Sequence, residues 1–137
     1  MKIVINRCYG GFGLSSSAVK EYLKLKGKKC FFYKEDYVNK IWNQVSDDSA
    51  SNYDNTLTKD YGASFKYDWY LIKDDYFYYG NIERTDEDLI KVVETLGSEK
   101  ASGHLSRLQI IELPDDVVWE LDEYDGIETV REVHRSW

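Results

Sequence analysis

The chain predicts a small α+β fold. It should form one domain over residues 1–137, with a mixed or antiparallel sheet, two main helices and a short C-terminal helix. Three observations lead there. At 137 residues and 42% hydrophobic content, the chain can bury one core of its own. Two segments, 18–25 and 86–96, place apolar residues at helical spacing. Short aromatic and β-branched runs lie between turn formers, without the regular βα period of a doubly wound sheet.

The elements follow in order. Residues 2–8, with the run Ile3-Val4-Ile5, read as a strand. Ser15 or Ser16 can cap a helix carrying Ala18, Val19, Tyr22, Leu23 and Leu25 on its apolar face, with Gly27 as its stop. Cys30 to Tyr33 reads as a second strand. Residues 43–60 have no apolar period and many turn formers, which predicts a long flexible loop, a lid or an interaction arm. Positions 61–79 hold nine aromatics, and the alternation from Tyr67 to Ile82 about Lys73-Asp74-Asp75 reads as a β-hairpin. Those rings can pack across strands, or form a stacking wall for a flat ligand.

Thr85 then caps a helix with Asp86, Glu87 and Asp88 in its first turn and Leu89, Val92, Val93 and Leu96 as its stripe. Residues 105–113 and 117–121 read as strands that could pair with each other. Asp125-Gly126 turns the chain into a short acidic helix bearing Ile127, Val130 and Val133. The terminal His134-Arg135-Ser136-Trp137 is expected to dock near the glycine-rich loop, because Trp137 can bury a large apolar area.

Composition excludes several function classes. The net charge of −7 argues against general nucleic-acid binding. Residues 1–34 hold eight basic residues and one acid, whereas 83–137 hold six basic residues and fifteen acids. These ends can neutralise each other within one fold or between neighbouring subunits. No apolar run approaches the roughly 20 residues of a membrane span. Met1-Lys2-Ile3 reads directly into a strand rather than a signal peptide. Cys8 and Cys30 make neither a disulfide framework nor a metal spacing. A reduced, cytoplasmic setting is therefore expected, with no cofactor and no metal.

The loop "NRCYGGFGLSSSA" carries the sharpest signal. It lacks the Lys-Ser/Thr of a phosphate-binding P-loop and the third glycine of a dinucleotide loop. What it retains is a helix N-terminus with free amides, serines and glycines, onto which an anion can settle. A plain capped turn and a ligand-contacting loop both remain open. Only five of eighteen basic residues are arginines, and the planar guanidinium suits phosphate, so the arginines are the leading anion contacts. The ligand-binding candidates are Arg7, Tyr9, Gly10, Gly11, Phe12, Ser15, Arg84, Arg107, His134 and Arg135. No catalytic residue can be assigned, since no spacing joins His104 or His134 to either cysteine.

The stretches "KIVINRCYGGFGLSSSA", "IERTDEDLIKVVETLG" and "SGHLSRLQIIELPDDVVWELDEYDGIETVREVHRSW" resemble a family of short proteins of tailed phages and prophages. The likeness covers both ends well, the helix at 86–96 moderately and residues 35–66 poorly. Phage proteins of this size often counter bacterial immunity. The chain is similar in size, acidity, mixed fold and lack of catalytic motifs to the anti-Thoeris sponges, which bind a cyclic ADP-ribose signal between paired subunits without destroying it. The resemblance implies an anti-defence protein that sequesters a phosphate-bearing nucleotide signal (cyclic ADP-ribose-like or a cyclic oligonucleotide) in the host cytoplasm, as a homodimer or larger oligomer. It does not extend to the sponge pocket residue by residue. Two alternatives stand beside it: a small hydrolase or transferase acting on a nucleotide or protein, and a phage adaptor that binds a host protein.

Overall fold

Ile3, Val4 and Ile5 form the centre of β1 (Lys2–Asn6), a strand buried on both faces, as an unbroken apolar run requires. In the computed structural model, which describes residues 1–133, the chain continues through α1 (Ser16–Leu25), β2 (Phe31–Asp36), β3 (Ile41–Val45), β4 (Asn55–Leu57) and β5 (Ser64–Lys66). It then forms α2 (Trp69–Ile72), β6 (Tyr76–Phe77), α3 (Glu87–Leu96), α4 (Ser98–Ala101), β7 (Leu108–Glu112), β8 (Trp119–Tyr124) and β9 (Ile127–Glu132). The expected α+β class holds, and every strand pairing among the described residues is antiparallel.

Three sheets share the work. β1 pairs with β7, in register from Lys2 opposite Glu112 to Asn6 opposite Leu108. A five-stranded sheet runs in the order β5-β3-β2-β4-β6. β8 and β9 make a hairpin. The strand–helix–strand opening therefore links two different sheets rather than neighbours in one.

The main core lies between the helices and these sheets. Ala18, Val19, Tyr22 and Leu23 of α1 meet Leu89, Val92 and Val93 of α3, over Val4, Phe32 and Leu108. A second cluster sits on the opposite face of the five-stranded sheet. There Tyr33, Trp42 and Leu57 are covered by Ile72 of α2 and flanked by Phe31, Tyr61, Phe65 and Tyr76. Alternation along β2 sends Phe32 to one core and Phe31 and Tyr33 to the other.

Four expectations are corrected. The 43–60 loop contains the end of β3 and all of β4, so the true connection is residues 46–54, with a 3-10 turn at Asp47–Ser49. The polar look of this stretch hid Thr56 and Leu57, both buried. The aromatic hairpin is instead a helical turn, a two-residue strand and a 3-10 turn, because Asp68 caps α2 by accepting from the Tyr70 N–H at 3.0 Å. The strands at 105–113 and 117–121 do not pair with each other. β7 joins β1, and β8 joins β9. Finally, Ile127–Glu132 is a strand and not a short helix. Asp125 and Gly126 both take positive φ, 51° and 87°, the two-residue turn that reverses an antiparallel pair.

The cap of α3 also shifts by one residue. Asp86 accepts from the Asp88 and Leu89 amides at 2.8 and 3.2 Å, where Thr85 was expected. Burial pushes the Asp86 carboxyl up, but hydrogen bonds from Leu89, Lys26, Tyr22 and Asp88 outweigh it and hold the group below the usual carboxylate range. Its contribution to stability is thus present above the unfolded pKa and lost as pH falls through the folded one. Asp86→Ala should cost about 1–2 kcal/mol near neutral pH. The difference from the parent chain should shrink once the pH is below about 4. Urea melts at several pH values check both statements.

Candidate functional site

The segment Ser51–Thr56 and the run Tyr76–Tyr79 face the first turns of α1 across a cleft of about 190 Å³. Its floor is Leu14, Val19 and Phe32, which belong to the main core. Phe77, Tyr78 and Tyr79 supply the aromatic wall, while the Tyr76 ring packs on the second cluster across the sheet. Ser16, Asn52 and Asn55 supply polar edges. Burial pushes the Tyr76 and Tyr79 phenols up, so both stay protonated and can donate. Asp54, the acid in the lining, turns its carboxylate back to accept from the Ser51 amide at 2.8 Å.

The first turn of α1 is fixed from both sides. Ser15 Oγ accepts from the Ala18 N–H at 3.1 Å and donates to the Lys100 carbonyl at 2.6 Å. The Ser15 N–H donates to the Ala101 carbonyl at 2.9 Å. Ser15 is thus spent on the cap, and its neighbour Ser16 faces the cleft. No acid lies in this first turn, whereas α3 carries Glu87 and Asp88 there.

Tyr78 also lines a neighbouring depression of about 310 Å³ with Gly11, Phe12, Gly80, Arg84, Glu123, Gly126 and Glu128. Three of the expected ligand residues, Gly11, Phe12 and Arg84, come together here. Arg84 is already engaged. Its guanidinium donates to both Glu128 carboxylate oxygens, at 2.5 and 2.8 Å, and lies 3.6 Å from the centre of the Phe12 ring. Glu128 also accepts from the Asn6 amide at 2.7 Å. Asn6, fully buried, accepts from the Cys8 and Arg107 amides and donates to the Cys8 and Gly126 carbonyls. This polar hub ties β1, β7, β9 and the glycine loop together.

The remaining candidates lie elsewhere. Arg7 donates through Nε to Gln109 at 2.9 Å, and Arg107 donates to the Arg7 carbonyl at 3.3 Å. The two arginines are neighbours just beyond the end of the β1–β7 pair, and neither forms an ion pair among the described residues. Tyr9 is 72% exposed. Gly10 is pressed against Leu105, where a Cβ would fall 2.1 Å from the carbonyl oxygen. His134 and Arg135, with the docking expected of the tail, lie outside the described residues.

Asn6 and Glu128 were missed by sequence reasoning. The only signal for Asn6 was a polar residue ending an otherwise apolar strand. Glu128 was one carboxylate in a crowd.

Among the described residues, neither Cys30 nor His104 belongs to an assembled nucleophile. Burial first, then Asp47, pushes the Cys30 thiol up to about 12, which leaves it unreactive near neutral pH. His104 packs edge-on to Tyr53 at 5.9 Å rather than against a cysteine. Among the described residues, no group of three or more His, Cys, Asp or Glu side chains could hold a metal ion. No described helix is long and apolar enough to cross a membrane. Comparison with protein-family models, with curated proteins and with solved structures gave no match.

Proposed function

We propose that the protein binds and holds a small phosphate-bearing nucleotide without cleaving it. The observation that carries this reading is the tyrosine-walled cleft opening onto the first turn of α1. A planar base stacks on the Phe77–Tyr79 wall, with Asn52 within reach of its edge. The phosphate lies toward Ser16, where the uncapped amides and the helix dipole favour negative charge. The depression beyond Tyr78 suits the phosphate poorly, because Glu123 and Glu128 line it and Arg84 is already neutralised.

The resemblance of the sequence to short phage proteins supports an immune signal as the ligand class. On this reading the protein is a phage or prophage anti-defence factor in the cytoplasm of its bacterial host, and sequestration is the whole of its action. It works as a homo-oligomer, a dimer or larger. Large apolar side chains left in solvent support this, among them Tyr37, Val38, Val118 and Tyr124.

Mass spectrometry of small molecules released by denaturing the purified protein should recover an intact nucleotide. A product of changed mass would instead indicate the enzyme reading. Ser16→Glu places a carboxylate where the phosphate sits, yet complements the helix dipole. It should reduce nucleotide retention at least tenfold while leaving the melting temperature unchanged or slightly raised. Retention equal to that of the parent chain would move the site away from this cleft.

A further inference from the structure

We propose that the depression on the aromatic face of the five-stranded sheet is a cage for a methylated or quaternary ammonium group. Four aromatic side chains, Trp42, Tyr67, Trp69 and Tyr76, line one cavity of about 320 Å³ together with Glu35 and Asn55. This inference concerns a ligand of opposite charge on the other face of the sheet; Tyr76 and Asn55 border both openings, and the register puts them on this face.

The sheet register builds the cage. Glu35 and Trp42 are directly opposite on β2 and β3, so they share a face. Asn55 is opposite Tyr33, two residues before Glu35 and therefore on that face as well. Tyr76 enters from β6, opposite Leu57. The chain after β5 then brings Tyr67 and Trp69 over the top. Trp42, 3% exposed, stacks with Tyr67 at 5.3 Å and 26°. Trp69 stands edge-on to Tyr76 at 5.5 Å and 72°. Tyr67 and Trp69 are 39% and 44% exposed, so the mouth is open to solvent.

The chemistry selects a cation. Aromatic faces present negative charge, and Glu35 adds a full negative charge with no cationic residue in the lining. Other aromatic faces of the fold already hold a cation from the chain itself: Phe12 has Arg84 at 3.6 Å, Tyr22 has Lys26 at 5.4 Å and Tyr61 has Lys59 at 5.7 Å. Among the described residues, no lysine or arginine occupies the cage rings in this way. A phosphate would meet the Glu35 carboxylate and an aromatic lining that offers it no cation. A bare ammonium loses strong hydration on entering such a box. A methylated one carries its charge on an apolar surface and loses less.

The test is a titration of the full chain with choline, followed through the tryptophan indole NMR signals. The control is 3,3-dimethyl-1-butanol, the uncharged isostere of choline. Choline should give a saturable shift at the Trp69 and Trp42 indoles and bind about tenfold more tightly than the isostere. Trp69→Ala should remove most of the Trp42 response. Glu35→Gln, which preserves shape, should weaken choline several-fold while leaving the isostere unchanged. Equal affinity for choline and isostere, no saturable response, or a response unchanged in Glu35→Gln would each overturn the proposal. A trimethyllysine peptide and its unmethylated form distinguish the source. Tighter binding of the methylated peptide than of choline points to a modified protein, and equal binding to a free amine.

Discussion

Glu128→Ala should lower the unfolding free energy by about 3–5 kcal/mol in urea denaturation, the largest effect expected of any single carboxylate here. The carboxylate is 5% exposed and receives both arms of Arg84 and the Asn6 amide. Removing it leaves the Arg84 charge without a partner and the Asn6 N–H without an acceptor. The double variant Glu128→Ala with Arg84→Met should recover part of that loss, because no buried charge is then stranded. A double variant as unstable as the single one would show that the hydrogen bond to Asn6, and not the ion pair, holds the hub. A loss under 1 kcal/mol in the single variant would mean the hub is dispensable.

Gly126→Ala should come close behind, with a loss on the order of 3 kcal/mol. Its φ of +87° is one that residues with a Cβ rarely adopt. A Cβ there would sit 2.2 Å from the Tyr9 carbonyl oxygen and 2.5 Å from the Gly11 nitrogen. Both are backbone atoms, so no side chain can swing aside, and the glycine loop itself must move. Gly62→Ala serves as the control, since its φ of +90° is similar but nothing lies within 4 Å of the added carbon. It should lose only about 1 kcal/mol. Amide chemical shifts from Cys8 to Gly13 should change in the first variant and not in the second. Equal losses in the two would assign the whole effect to backbone strain and none to the contact with the loop.

The parts of this fold that sequence made legible are those set by local rules. The apolar run of β1, the stripes of α1 and α3, and the Ser15 cap each follow from residues within one or two turns of one another. The errors fall where distant partners decide. Residues 55–57 look like loop, but pairing with β2 on one edge and β6 on the other makes them a strand, with Thr56 and Leu57 buried. Ile127, Val130 and Val133 fit a helix by spacing. The Asp125-Gly126 turn and the facing strand β8 make the segment a strand instead. The aromatic block misled for a different reason. Alternation from Tyr67 to Ile72 mimics a strand, yet Asp68 turns the chain into a helix that lays Ile72 on the second core.

At the site, sequence listed Gly11, Phe12 and Arg84 together as ligand candidates and left the aromatic block open between cross-strand packing and a stacking wall. It gave no hint that Arg84 would be neutralised, because its partner Glu128 is 44 residues away and one of many acids.

The two halves of this architecture differ in how far along the chain they reach. The five-stranded sheet and its covering turn are drawn from one uninterrupted stretch, from Phe31 to Phe77. The frame around the glycine loop depends on residues at opposite ends of the sequence, with Asn6 and Glu128 separated by 122 positions. Closing long loops costs entropy that local pairings do not incur, which sets an order of assembly. During synthesis the strands of this sheet can pair before the C-terminal third of the chain is available, and its Phe32 face is covered once α3 has emerged. The glycine loop has no such opportunity, since β9 and the Asp125-Gly126 turn must first emerge. A growing chain is therefore expected to pair its aromatic sheet before the loop beside α1 takes its final shape.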